Sequence, residues 1–135
     1  FNIKDGLGIK LLQRAGVIVA IITGRQSEIV ERRARELGIR DIIQGREDKL
    51  NALTALCRDK DLPMDQCAYM GDDLPDLAAI TSAGLGLTVS DAADAVKREA
   101  DWISSAPGGH GAVREACETL LDAREQLTSL LAEYR

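Results

Sequence analysis

Two periods take turns along this chain. Continuous apolar runs of four to six residues alternate with stretches whose apolar positions recur every three or four. Val17-Ile18-Val19-Ala20-Ile21-Ile22 is mostly β-branched and bounded by Gly16 and Gly24, the pattern of a strand covered on both faces in a parallel sheet. Shorter runs at 41–45, 67–70, 85–89 and 102–103 predict further strands. Between them, helical periodicity runs over 6–15, 27–37, 49–59, 75–83 and 92–100. A long last helix is expected over 112–134, through Val113, Ala116, Leu120, Leu121, Leu127 and Leu131. Ser27 is placed to cap one helix, and Gly38 to end it. Strand and helix alternate about five times. That order predicts an α/β fold, a Rossmann-like parallel sheet in three layers with helices on both faces and right-handed crossovers. In such folds ligands gather at the carboxyl ends of the strands.

Composition narrows the class without changing the fold. At 135 residues the chain reads as one domain over 1–135. Aromatics are only 3%, so the core must be aliphatic. A net charge of −5 argues against a phosphate backbone as partner, because nucleic acid needs a basic face. No apolar run approaches the roughly 20 residues of a membrane span. The cysteines, Cys57, Cys67 and Cys117, are odd in number and widely spaced. They read as inert thiols in a reducing, cytoplasmic setting.

The strand-end rule selects three segments. Thr23-Gly24-Arg25 follows the first strand and offers a hydroxyl, an approachable backbone and a guanidinium to an anion. Lys49 starts the helix after the second strand, where the helix dipole disfavours positive charge unless an anion lies near. Gly71-Asp72-Asp73-Leu74-Pro75-Asp76 follows the third strand. Three acids within five positions repel one another unless a cation neutralises them, and oxygen-only chemistry suits Mg²⁺. Asp72 is the candidate ligand, and Asp73 and Asp76 are expected to orient waters or the lysine. Taken singly, each segment has a plainer reading as a helix cap, a surface arginine or a solvated lysine. Together they describe a phosphoryl-transfer site.

In order and spacing, Ile21-Ile22-Thr23-Gly24-Arg25, Lys49 and Gly71-Asp72-Asp73-x-x-Asp76 resemble motifs two to four of the haloacid dehalogenase-like phosphatases. Two further segments, Phe1-Asn2-Ile3-Lys4-Asp5-Gly6-x-Gly8-Ile9 and Gly108-Gly109-His110-Gly111-Ala112-Val113-Arg114-Glu115, resemble the subfamily without a cap domain. That subfamily contains phosphatases of 3-deoxy-D-manno-octulosonate 8-phosphate, a lipopolysaccharide precursor, with acylneuraminate 9-phosphate phosphatases as cousins.

The resemblance implies Mg²⁺-dependent phosphomonoester hydrolysis through an Asp nucleophile. Thr23 would hold phosphoryl oxygens, Lys49 would stabilise developing charge, and Asp72 would ligate the metal. Asn2, Ile3, Lys4, Asp5, Gly6, Lys10, Gly24, Arg25, Arg33 and Lys49 would contact substrate, some of them across a homotetramer. Lys10 and His110 stand where the family usually has Arg, which loses a bidentate grip at each place. The family's Asp-x-Asp-Gly nucleophile motif occurs nowhere in the 135 residues. With Phe1 in first position, the chain therefore reads as a phosphatase domain lacking its first strand, inactive by itself. Roughly 40–50 residues of a usual domain of about 150–200 would be missing. A non-catalytic assembly domain of a nucleotidyl-sugar synthetase is the alternative from another class, and the intact Thr23, Lys49 and Asp72 speak against it.

Overall fold

The computed structural model describes residues 3–124, with Ile3 and Lys4 described by their backbone alone. Asn2, Leu127, Leu131 and the remaining positions of the helix predicted over 112–134, from 125 on, lie outside the described residues. The elements run α1 (Ile3–Arg14), β1 (Ala20–Ile22), α2 (Glu28–Glu36), β2 (Asp41–Ile43), α3 (Lys49–Asp59), β3 (Ala68–Met70), α4 (Leu77–Ser82), β4 (Leu85–Thr88), α5 (Asp94–Glu99), β5 (Trp102–Ile103) and α6 (Ala112–Ala123). Short 3₁₀ turns, Met64–Gln66 and Leu74–Asp76, precede β3 and α4. Pro75 sits in the first turn of the second, where its missing N–H costs nothing. Ser27 caps α2 as expected, its hydroxyl accepting from Val30 N at 3.3 Å.

All strand pairs are parallel, but they form two sheets where the sequence predicts one. β1 pairs with β2, Ala20 opposite Asp41 and Ile22 opposite Ile43. β3, β4 and β5 pair in that order, Met70 opposite Leu87 and Leu87 opposite Trp102. Among the described residues no backbone hydrogen bond joins β1 to β3.

The expectation that the whole apolar run 17–22 is strand is corrected accordingly. The ladder spans only three residues, because β2 offers partners only to Ala20–Ile22. Ile18 is 56% exposed, and β1 is half-buried throughout. An apolar run becomes strand only where a second backbone lies opposite it.

The core lies in two clusters on either side of β1. Val19 and Ile21 face Leu11, Leu12, Leu37, Ile39 and Leu121 from the layer of α1, α2 and α6. Ile22 packs into the other cluster, with Tyr69 of β3 and Leu53, Ile80 and Val96 from the layer of α3, α4 and α5. Adjacent strand residues point to opposite faces, so helices cover both sides as predicted. Leu11, Ile80 and Leu121 are fully buried. Each contributes about 1.5–3 kcal/mol of transfer free energy. All three cysteines are free, with Cys57 and Cys117 buried. No described helix is long and apolar enough to cross a membrane.

Candidate active site

A cleft of about 280 Å³ opens where the carboxyl ends of β1 and β3 face each other, lined among others by Ile22, Lys49, Met70, Asp72, Asp76 and Gly108. It lies at the strand ends, as parallel α/β folds require.

Asp76 organises it. Its carboxylate is nearly buried and accepts four hydrogen bonds. Oδ1 takes Lys49 Nζ at 2.9 Å and the Tyr69 hydroxyl at 2.6 Å. Oδ2 takes the backbone N–H groups of Asp72 at 3.0 Å and Asp73 at 3.2 Å. Burial pushes this carboxyl's pKa up. The hydrogen bonds from Tyr69, Lys49 and the Asp73 backbone, with the lysine's charge, outweigh burial and hold it below the ordinary value. Tyr69 responds in the opposite sense. Burial and the bond to Asp76 raise its pKa well above the usual phenol value.

Lys49 begins α3 as the sequence predicts, and the anion that its place at a helix N-terminus calls for is Asp76. Its neighbour Asp48 makes no cap bond, because its carboxylate is taken by Arg46.

The three acids read together in the sequence separate into three tasks. Asp73 caps the 3₁₀ turn, its Oδ1 accepting from Leu74 N at 2.8 Å. Asp76 pairs the lysine, as one of the two roles expected of it. Asp72 alone keeps an exposed carboxylate in the cleft, with no protein donor on it among the described residues. Its backbone is pinned by Ala93 N bonding its carbonyl at 3.0 Å, and the buried Thr88 hydroxyl holds the Gly71 carbonyl at 2.7 Å.

Thr23 stands one residue beyond the cleft-lining Ile22, outside the lining itself. Its backbone N–H bonds Ile43 O at 2.9 Å, and its hydroxyl accepts from Arg25 N at 3.2 Å. Gly24 lies against the Glu47 carboxylate. Arg25 and Lys10 are exposed and are not part of the cleft lining. Arg33 lies over Gly6, with Nη1 3.4 Å from Glu36. Asp5 is buried and accepts from Arg114 N at 3.0 Å, so its carboxylate serves the start of α6 in this arrangement. His110 is exposed in a turn, its N–H bonded to Pro107 O.

Sequence reasoning did not single out Tyr69 or Thr88. Both lie inside strands that read simply as apolar, and a hydroxyl within such a run is the one available signal.

The model of the haloacid dehalogenase-like hydrolases matches residues 35–115. The 3-deoxy-D-manno-octulosonate 8-phosphate phosphatase KdsC of Yersinia pestis is 41% identical over 127 residues, 94% of this chain and 68% of that protein. This chain is a haloacid dehalogenase-like hydrolase of the KdsC family.

Solved members of that family share its architecture. The Moraxella catarrhalis 3-deoxy-D-manno-octulosonate 8-phosphate phosphatase, in complex with magnesium ion, phosphate ion and KDO, superposes with a TM-score of 0.99. It is 46% identical over all of this chain and 78% of its own. The cobalt-bound phosphatase of Haemophilus influenzae gives 0.91 at 38% identity, over 94% of this chain and 74% of its own.

A divalent cation fits the donor set of this KdsC-family chain in kind. The Asp72 carboxylate lies in the cleft without a protein donor among the described residues, and Mg²⁺ commonly takes one or two carboxylates and completes its shell with water and phosphate oxygens. Among the described residues no group of three or more His, Cys, Asp or Glu side chains is placed to hold a metal ion; Asp73 caps the 3₁₀ turn and Asp76 pairs Lys49.

Proposed function

We propose that this domain belongs to a Mg²⁺-dependent phosphatase that hydrolyses the 8-phosphate ester of 3-deoxy-D-manno-octulosonate. One observation carries the reading: a free carboxylate (Asp72) and a partly buried, aspartate-paired ammonium (Lys49) share one strand-end cleft. The superposition on a phosphatase bound to magnesium, phosphate and KDO supports the choice of substrate.

Asp72 would hold the cation, which when bound offsets negative charge on phosphoryl oxygens. Lys49 would place its ammonium against the charge that develops on the transferring group, a positioned donor in a partly dry site. Thr23, one residue beyond the cleft-lining Ile22, would add a hydroxyl donor to the phosphate. Lys10, Arg25 and Arg33, outside the cleft in a single chain, fit contacts with the sugar acid at the seam of a homotetramer. Asn2, Ile3, Lys4, Asp5 and Gly6 belong to the same proposed seam.

The nucleophile is not among these 135 residues, since no Asp-x-Asp followed by Gly occurs in them. The polypeptide by itself is therefore expected to bind but not to turn over, and catalysis belongs to a chain that also carries that motif.

The test is release of inorganic phosphate by such a full-length chain, across sugar-acid phosphates and with Mg²⁺ added or chelated. The octulosonate ester should be the preferred substrate over the neuraminate 9-phosphate, and chelation should stop the reaction. Asp72→Ala should reduce turnover roughly 10²–10³-fold or more, the scale of removing a key electrostatic group. Full activity in Asp72→Ala would remove the metal assignment.

A further inference from the structure

We infer that Tyr69 is a positioning residue for Lys49, its buried hydroxyl fixing, through Asp76, where the ammonium sits in the cleft. The inference rests on the phosphatase reading for its catalytic consequence, but not for its structural one. Tyr69 is 8% exposed, on a strand whose ladder and core contacts hold its ring. Its hydroxyl and Lys49 Nζ reach the same oxygen, Asp76 Oδ1, at 2.6 and 2.9 Å.

The two donors differ in stiffness. A tyrosine on a strand has two side-chain torsions, both locked by packing, whereas the lysine hangs on a flexible four-carbon stem. The rigid donor sets the direction in which Oδ1 presents its remaining lone pair, and the flexible donor follows it. The other oxygen is held by the N–H groups of Asp72 and Asp73, so the carboxylate cannot swing without breaking bonds at both ends. Lys49 has three N–H donors, and Asp76 is its one partner among the described residues. The remaining donors face the cleft, where an anion would meet them.

A second consequence follows from sharing. With Tyr69 donating, the negative charge on Oδ1 is divided between a hydroxyl and an ammonium. The lysine is held in place without being fully neutralised by its partner. A phenylalanine would fill the same space and lose only this bond.

The experiment uses the full-length protein, with Tyr69→Phe, Lys49→Met and the double variant. Two readouts are taken: steady-state phosphate release, and the NMR signal of the Lys49 ammonium. Tyr69→Phe should lower kcat by roughly tenfold, the rate equivalent of one hydrogen bond to a charged group, while KM stays within about twofold. Added to Lys49→Met it should cost nothing further, because groups acting through one another are not additive. The Lys49 ammonium resonance, sharp in the parent, should broaden or vanish in Tyr69→Phe as its hydrogens exchange faster.

Equal losses from Tyr69→Phe in the parent and in the Lys49→Met background would overturn the inference, as would an unchanged ammonium signal. If the parent shows no phosphate release at all, the phosphatase reading fails. The NMR arm still decides whether Tyr69 holds Lys49.

Discussion

Asp76 shows how one side chain can settle the arrangement of several others. Its four donors come from α3, β3 and the loop after β3. Removing it would leave a partly buried ammonium, a buried hydroxyl and two N–H groups without this acceptor. Asp76→Ala should therefore cost about 3–5 kcal/mol, the scale for breaking one half of a buried pair, read as a shift in the denaturant midpoint. The sequence disclosed that Asp72, Asp73 and Asp76 belong together. It also allowed Asp76 the lysine as partner, but not the Tyr69 hydroxyl on the same oxygen or the capping task of Asp73.

At the same scale, burial pushes the Cys117 thiol up to about 12, with the charges of Asp5 and Glu118 adding to burial and Arg114 opposing it. The unfolded thiol releases its proton near the ordinary value, while the native one keeps it. The associated stability is thus whole below that ordinary value and is lost as pH climbs from there toward about 12. Chemical denaturation at stepped alkaline pH should show the parent losing stability more steeply than Cys117→Ala. The native thiol should also resist alkylation at pH 8.

Among the elements, α6 begins without a local cap. Gly111 occupies the N-cap position at φ 99° and offers no side chain. Asp5, from α1, accepts from Arg114 N three residues inside the helix and fills that role at long range. A carboxylate there also suits the positive end of the helix dipole. Asp5→Ala should destabilise the fold by about 1–2 kcal/mol, with hydrogen exchange quickening first in the opening turn of α6. Local caps such as Ser27 were legible, because cap and helix adjoin in the sequence. A cap 109 residues away was not, since nothing in either segment names the other.

For the whole molecule, the order of helices and strands and the strand-end location of the cleft were legible, because periodicity and strand polarity are written in the order of residues. The extent of the strands was not. An apolar run reads the same whether it has one neighbour or two, so the shortening of β1 and the division into two sheets appear only in three dimensions. Fold similarity to solved phosphatases at TM-scores of 0.91 and above shows that the layer arrangement survives this division.

That division has a practical outcome. Among the described residues β1 and β3 are each paired on one side only, with Ile22 and Met70 both beside the opening between them. Such borders recruit any extended segment that can match their spacing, including one from another molecule. Purified as these 135 residues alone, the polypeptide should self-associate as its concentration rises. Sedimentation velocity would show it, and a synthetic β-strand peptide that lodges between the two borders should return it to smaller species.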